Sequence, residues 1–330
     1  MAALVRWGIL GTANIARAVF LPALREAGDA EAAVVGSRTA EIAERFAAEN
    51  GVTRGVQGYQ AILDDASVNV VYIPLPNTLH AEWTMAALRA GKMVLCEKPL
   101  CATVTETEQV LAAASESQGP LWEAFVFPFH PQTARVQALI GEGVIGELRE
   151  IHSTFHFRLT RPQNIRYSRV LAGGALNDVG CYPVRIARLL FGDEPETATA
   201  EAVWGSSGVD VEMCGMLGFP GERRLLLSSG FRRQYDTFTR LLGTQGQIHL
   251  TNPFHPEPQD ALEIIAAGKS TIEHPTKDRV SFTAALRHIH AVLRGEETPR
   301  YLAIADSIGN ARALQLLNAS LARDDQAVSR

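Results

Sequence analysis

The chain has 330 residues, 46% of them hydrophobic and 20% charged, which suits one or two ordinary buried cores and excludes a disordered or fibrous class. Its 31 Lys and Arg against 36 Asp and Glu leave a formal net charge of -5, without the basic surplus that a phosphate backbone requires, so no nucleic-acid partner is expected. The apolar stretch from Val68 to Leu75 stops at Pro76, short of the roughly 20 residues that span a bilayer. Cys96, Cys101, Cys181 and Cys214 are scattered and form no C-x-x-C pair, so the expectation is a cytoplasmic protein with no membrane segment, disulfide framework or metal site.

The first third alternates short β-branched runs with amphipathic ones. Strands are expected at Leu4 to Leu10, Ala32 to Gly36, Val68 to Ile73, Met93 to Cys96 and Leu121 to Ala124. Helices are expected at Ile15 to Ala27, Ala40 to Glu49, Leu79 to Ala90 and Thr105 to Ser117. This order predicts an α/β, doubly wound parallel sheet over residues 1–124. From about Gly146 the period changes to two, with segments Glu150 to Phe157, Thr199 to Trp204, Val209 to Leu217, Arg224 to Ser229 and Thr237 to Leu242. Residues 125–330 therefore read as an α+β domain on an open, mostly antiparallel sheet. Helices at Tyr182 to Leu190, Ser281 to Leu293 and Ile304 to Leu321 are available to cover it, and the last helices are also free to pack back on the first domain. A broad open sheet face commonly takes a partner, so a homodimer or homotetramer is expected.

The first strand runs into Gly11-Thr12-Ala13-Asn14-Ile15-Ala16, a dinucleotide fingerprint with alanine at the middle glycine's place. Gly11 suits the tight turn, Ala16 permits close helix–strand packing, and amides at the helix start suit a pyrophosphate. The second strand ends in Ser37-Arg38. An NAD site usually places a carboxylate there for the ribose hydroxyls, whereas a guanidinium suits a 2'-phosphate, so the expected cofactor is NADP. A solvated arginine at a helix start is the competing account of Arg38. The loop Ile73-Pro74-Leu75-Pro76-Asn77, with His80, falls at the carboxyl edge of the sheet, where such folds bind ligands. One strand later Glu97-Lys98-Pro99 places a cation where a developing alkoxide can be met, although an exposed Glu-Lys pair reads equally well without function.

Together GILGTANIA, GSR, IPLPNTLH and CEKPL resemble the glucose-fructose oxidoreductase and inositol dehydrogenase (Gfo/Idh/MocA) family, and the likeness extends through Phe129-His130-Pro131 and Gly173-Gly174-Ala175-Leu176-Asn177-Asp178-Val179-Gly180-Cys181-Tyr182. Pro128 stands where many members have arginine. The resemblance implies a nicotinamide cofactor in the N-terminal domain, a C-terminal domain that shapes a substrate site, and hydride transfer. It implies that Lys98 acts with Asp178 and with Tyr182, the latter replacing the family's usual histidine. Glu97 is placed with the cofactor, and Phe129, His130 and Asn177 with the substrate; Tyr235, in the polar break between two expected strands, is a further candidate substrate contact, and Arg166 a candidate cofactor contact. Tyr182 at the histidine's place resembles the branch of nucleotide-deoxysugar 3-ketoreductases and of xylose and dihydrodiol dehydrogenases. Either Tyr182 or Lys98 can deliver a proton. Asp178 lies four residues before Tyr182, on one helix face, or else caps a helix. Arg158, Arg161 and Arg166 cluster and are open to a cofactor or a sugar-nucleotide diphosphate. His152, Thr154 and His156 share a strand face but lack a third ligand at metal spacing. The expected function is NADP-dependent reduction of a dTDP-linked keto-deoxysugar. The alternatives are an aldose or dihydrodiol dehydrogenase and a non-catalytic NADP-binding regulator.

Overall fold

A computed structural model describes residues 4–117 and 119–327. The chain divides into two compact units, one built from the described residues up to Phe129 with Asp278–Ile308, the other from His130–Lys277 with the residues from Gly309 onward.

In the first unit β1 (Val5–Leu10), β2 (Ala30–Ser37), β3 (Arg54–Gln57), β4 (Val70–Ile73), β5 (Met93–Cys96) and β6 (Leu121–Glu123) form one parallel sheet in the order β3-β2-β1-β4-β5-β6. Its helices are α1 (Leu21–Ala27), preceded by a π-helical segment at Ala16–Phe20, then α2 (Ala40–Asn50), α3 (Gln60–Leu63), α4 (His80–Arg89) and α5 (Val104–Glu116). Successive strand side chains point to opposite faces, so the apolar runs feed two cores. Val5, Trp7, Ile9, Val70, Tyr72 and Leu95 pack with Phe20 and Leu24 on one side. Leu10, Val34, Val71, Ile73 and Val94 pack with Ile62, Leu88 and Val110 on the other.

In the second unit α6 (Pro131–Gly141) precedes β7 (Leu148–His156) and α7 (Cys181–Phe191). Then follow β8 (Thr197–Trp204), β9 (Asp210–Phe219), β10 (Arg223–Gly230), β11 (Asp236–Gly243), β12 (Gly246–Leu250), β13 (Leu262–Ala266) and β14 (Lys269–Glu273). The eight strands run in the order β14-β13-β12-β11-β7-β10-β9-β8, antiparallel except that β7 and β10 are parallel. Period two separates the faces. The cross-strand row Leu217, Leu225, Ile151, Leu241, Ile248 and Ile264 is buried. The next row, Met216, Leu226, His152, Arg240, His249 and Glu263, is exposed or half-exposed.

Two helices follow, α8 (Thr283–Leu293) and α9 (Ala303–Ala327). The helix expected at Ser281 to Leu293 as cover for the antiparallel sheet instead packs in the first unit, where Phe282, Ala285, Leu286 and Ile289 join the core around Trp7. A polar chain fixes it there: Trp7 Nε1 donates to His290 Nε2 (2.9 Å), whose Nδ1 meets Asp29 (2.6 Å), which also binds Arg294 (2.8 Å). The cover at β8 comes from α9, whose Ser320 hydroxyl accepts from the Ala200 amide at 3.0 Å. Among the described residues no helix is long and apolar enough to cross a membrane.

Candidate active site

The turn after β1 is built for close approach. Gly11 has φ +110°, and a Cβ there would come within 3.0 Å of Leu75 Cδ2, so any side chain would be both strained and crowded. Its amide donates to Gly36 O (3.0 Å), which fixes the turn against β2. Ala16 and Arg17 both donate to Ala13 O. The helix therefore opens after Ala13, and the amides of Asn14 and Ile15 lie in a first turn that supplies no acceptor of its own. Thr12, Ala13 and Ile15 are half-buried, while exposed Asn14 accepts from Arg17 at 2.7 Å.

At the end of β2 Ser37 is buried and Arg38 is exposed, and Thr39 caps α2 by accepting from the Ile42 amide. Ser37, Arg38 and Thr39, which join β2 to α2, carry no carboxylate. Tyr59, which the motif reading passed over, joins this corner to the glycine turn: its hydroxyl lies 3.9 Å from the place of a Gly11 Cβ. Burial pushes the Tyr59 phenol up and the nearby Arg38 guanidinium opposes the rise.

The loops after β4 and β5 are tied together. Ile73, Pro74 and Leu75 are buried, and Asn77 opens a short 3-10 turn. His80 is fully buried, with Nδ1 2.9 Å from Pro99 O and Nε2 2.8 Å from Leu75 O. It clamps one loop to the other, and burial holds its pKa below the usual imidazole range. Glu97 accepts from Tyr72 Oη (2.7 Å) and from the Lys98 amide (3.3 Å), and the Lys98–Pro99 bond is cis. Beyond Pro99 the Leu100 amide donates to Glu123 (2.8 Å), which also accepts from Ser307 (2.6 Å). Lys98 is thus a half-buried cation on a segment bonded at both ends. Phe129 packs against His288 and Tyr301, with ring centres 5.1 and 5.0 Å away.

These residues fit a nicotinamide dinucleotide: a turn that tolerates no Cβ, helix-start amides for the pyrophosphate, and the exposed Arg38 guanidinium at the end of β2 for a 2'-phosphate. Gly11, Thr12, Ala13, Asn14 and Ile15 would hold the phosphates, Ser37 and Arg38 the adenosine end, and the loops at Ile73–Leu75 and Glu97–Lys98 the nicotinamide end. Such a cofactor supplies or accepts a hydride.

In the second unit Gly174 has φ +113°, and a Cβ there would fall 2.2 Å from Asp210 Oδ1. The absent side chain lets Asp210 reach the helix start, where Oδ2 accepts from the Leu176 amide at 2.6 Å. Burial pushes the Asp210 carboxyl up to about 6, against the amides of Leu176 and Ala175 that draw it down. The capping role open to Asp178 thus belongs to Asp210. Asp178 accepts instead from Arg166 Nε at 2.6 Å, and that guanidinium lies 5.8 Å over the Phe157 ring. The segment Leu176–Gly180 is π-helical before α7, so the four-residue spacing of Asp178 and Tyr182 differs from a plain α-helical register. Tyr182 is buried at 5% exposure among Phe155, Phe254 and His255, with ring centres 5.3, 5.1 and 5.5 Å away. Asn177 donates to Ala172 O and Gly173 O (3.3 and 3.4 Å), and exposed Tyr235 stands 6.2 Å from the Phe155 ring. His130, buried, caps α6 through Nδ1, 3.1 Å from the Gln132 amide. The structure therefore groups Gly11, Leu75, Ser37 and Arg38 in one unit and Arg166, Asp178, Tyr182 and Tyr235 in the other.

Residues 5–125 match the family described as an oxidoreductase family with an NAD-binding Rossmann fold, and residues 133–249 match the GFO/IDH/MocA C-terminal domain. The chain belongs to the Gfo/Idh/MocA oxidoreductase family. Within the family, it is 36% identical to D-xylose 1-dehydrogenase (NADP(+)) 2 of Haloferax volcanii over 88% of this chain and 89% of that one. It is 42% identical to the dTDP-3,4-didehydro-2,6-dideoxy-alpha-D-glucose 3-reductase of Actinomadura kijaniata over 76% of each. A crystal structure of a 3-ketoreductase from Actinomadura kijaniata with NADP and TDP-benzene superposes with a TM-score of 0.87 at 32% identity, covering 96% of this chain and 98% of that chain. NADP, the cofactor expected from Ser37 and Arg38, is the one that structure holds.

Proposed function

We propose that the protein is an NADPH-dependent reductase of a keto group on a nucleotide-linked deoxysugar. The observation that carries this reading is the second unit's pairing of a phenol, Tyr182, embedded among aromatic rings, with the Asp178–Arg166 ion pair on the preceding helical turn. Tyr182 donates a proton to the sugar oxygen as the carbonyl is reduced, and the Lys98 ammonium stabilises the negative charge that develops there. Asp178, its charge matched by Arg166, orients a sugar hydroxyl. The likeness to reductases of dTDP-linked sugars supports this substrate class. Oxidation of a free aldose is the second reading, favoured by the likeness to a xylose dehydrogenase over most of the chain.

Steady-state kinetics separates the two. The expected result is that kcat/KM for a dTDP-linked 3-keto-6-deoxysugar with NADPH exceeds that for D-xylose with NADP+ by about 100-fold or more, as binding of the remote nucleotide is spent on the reacting centre. NADPH should outperform NADH, and Arg38→Ala should lose that preference by roughly tenfold or more, the strength of a charge-assisted pair to phosphate. Turnover of the aldose alone would replace the first reading with the second. The half-exposed sheet row through Leu226, His152 and Arg240 is the face proposed to meet a second copy, so light scattering should give a multiple of the chain mass. A mass equal to one chain at every concentration would contradict it.

A further inference from the structure

A cavity of about 590 Å³ in the second unit is lined by Phe157, Arg158, Arg232, Gln234 and Tyr235. We propose that this cavity is the subsite for the nucleoside diphosphate portion of the substrate, with Arg158 and Arg232 on the diphosphate and Tyr235 and Gln234 on the nucleoside. The inference rests on the reading of the substrate as a nucleotide-linked sugar and assigns residues to the half of that substrate which does not react.

Size and chemistry both fit. Ligand sites commonly measure roughly 300–1,000 Å³. The cavity brings together guanidinium groups from separate stretches of chain, the end of β7 and the turn between β10 and β11. Neither arginine has a carboxylate partner among the described residues, whereas the adjacent Arg233 is bound to Glu212 and Arg166 to Asp178. Charge left unpaired on one wall suits an anion, and two planar forks suit a diphosphate. Tyr235 is 54% exposed and stands nearly perpendicular to Phe155, leaving a large ring available for stacking a base. Partial desolvation at its base, then the carboxylates of Asp260 and Glu257, push its phenol up.

Position supports the same assignment. Phe155 contacts both Tyr235, at 6.2 Å, and Tyr182, at 5.3 Å, so a single ring joins the cavity wall to the group assigned to the reacting oxygen. A sugar with its keto carbon at Tyr182 would extend its anomeric substituent away from that tyrosine, and the diphosphate is that substituent. Arg158 and Arg232 are thereby specificity-determining residues, and an aldose without the nucleotide gains nothing from them.

The test is calorimetric titration of the full-length protein, saturated with NADPH, with dTDP, with thymidine and with inorganic diphosphate. Proteins compared are the wild type, the double variant Arg158→Ala/Arg232→Ala, and Arg149→Ala as an exposed arginine outside the cavity. The wild type and Arg149→Ala should bind dTDP alike. The double variant should bind dTDP and diphosphate about 100-fold more weakly, and thymidine within about twofold, because each charge-assisted contact is worth roughly tenfold or more. Equal dTDP affinity in the wild type and the double variant would place the diphosphate elsewhere and leave the substrate reading intact. No dTDP binding by the wild type would remove the subsite and that reading together. A double variant with unchanged Tm but weakened NADPH binding would assign the arginines to the cofactor's own phosphates and overturn the proposal.

Discussion

Tyr182→Phe should reduce kcat for keto-sugar reduction by about 100-fold to 10,000-fold, the range that a positioned general acid contributes, while the Kd for NADPH stays within about twofold. The substitution removes one oxygen from a ring packed among Phe155, Phe254 and His255, and the remaining benzene ring fills nearly the same space. Folding should therefore survive, and KM for the sugar should change far less than kcat. Single-turnover kinetics on the NADPH-loaded variant reads the chemical step alone. A fall in kcat of less than about tenfold would transfer proton donation to Lys98 and leave Tyr182 to orient the sugar.

Tyr182 was singled out through the family resemblance, at the place of the usual histidine, whereas Lys98 drew attention as a cation just beyond a strand buried on both faces. Strong patterns made β1, β4, β5 and the period-two strands legible. Weak patterns were missed. Edge strand β3 reads Arg-Gly-Val-Gln with no buried position, and edge strand β14 is exposed at four of its five residues, so neither has an apolar face to show. The π-helical turns at Ala16–Phe20 and Leu176–Gly180 leave apolar spacing nearly unchanged, so the expected continuous helices concealed them. Tyr59 and Asp210 were missed for another reason: each acts through a neighbour brought close only by the fold. Asp210 is a single acid at the start of a strand, and its partner amide at Leu176 is 34 residues away.

That acid gives the second large effect. Asp210 has an ordinary carboxyl value of 3.8 and rises to about 6 in the fold, chiefly through burial. The folded state therefore holds the proton more tightly than the unfolded chain does. The associated stability is fully present below about pH 3.8 and is lost as the pH rises through about 6, amounting to roughly 3 kcal/mol. Asp210→Asn keeps an oxygen acceptor for the Leu176 amide but does not titrate. Urea unfolding should thus show the wild type losing about 3 kcal/mol relative to Asp210→Asn between pH 3.5 and 7.5. Parallel stability curves across that range would show that the carboxyl is already ionised at little cost. Asp210→Ala should be worse at every pH, by about 1–3 kcal/mol, because a buried amide at the start of the Tyr182 helix loses its acceptor.

The proposed reaction is transfer of a hydride from a bound reduced nicotinamide to the carbonyl carbon of a nucleotide-linked sugar. The direct measurement is mass spectrometry of the sugar product after turnover with NADPH deuterated at C4 on one face, and separately on the other. One of the two cofactors should deliver a single deuterium to a carbon-bound position of the sugar, and the other should retain its label. Sugar product without deuterium from either cofactor, or no product at all, would contradict the account.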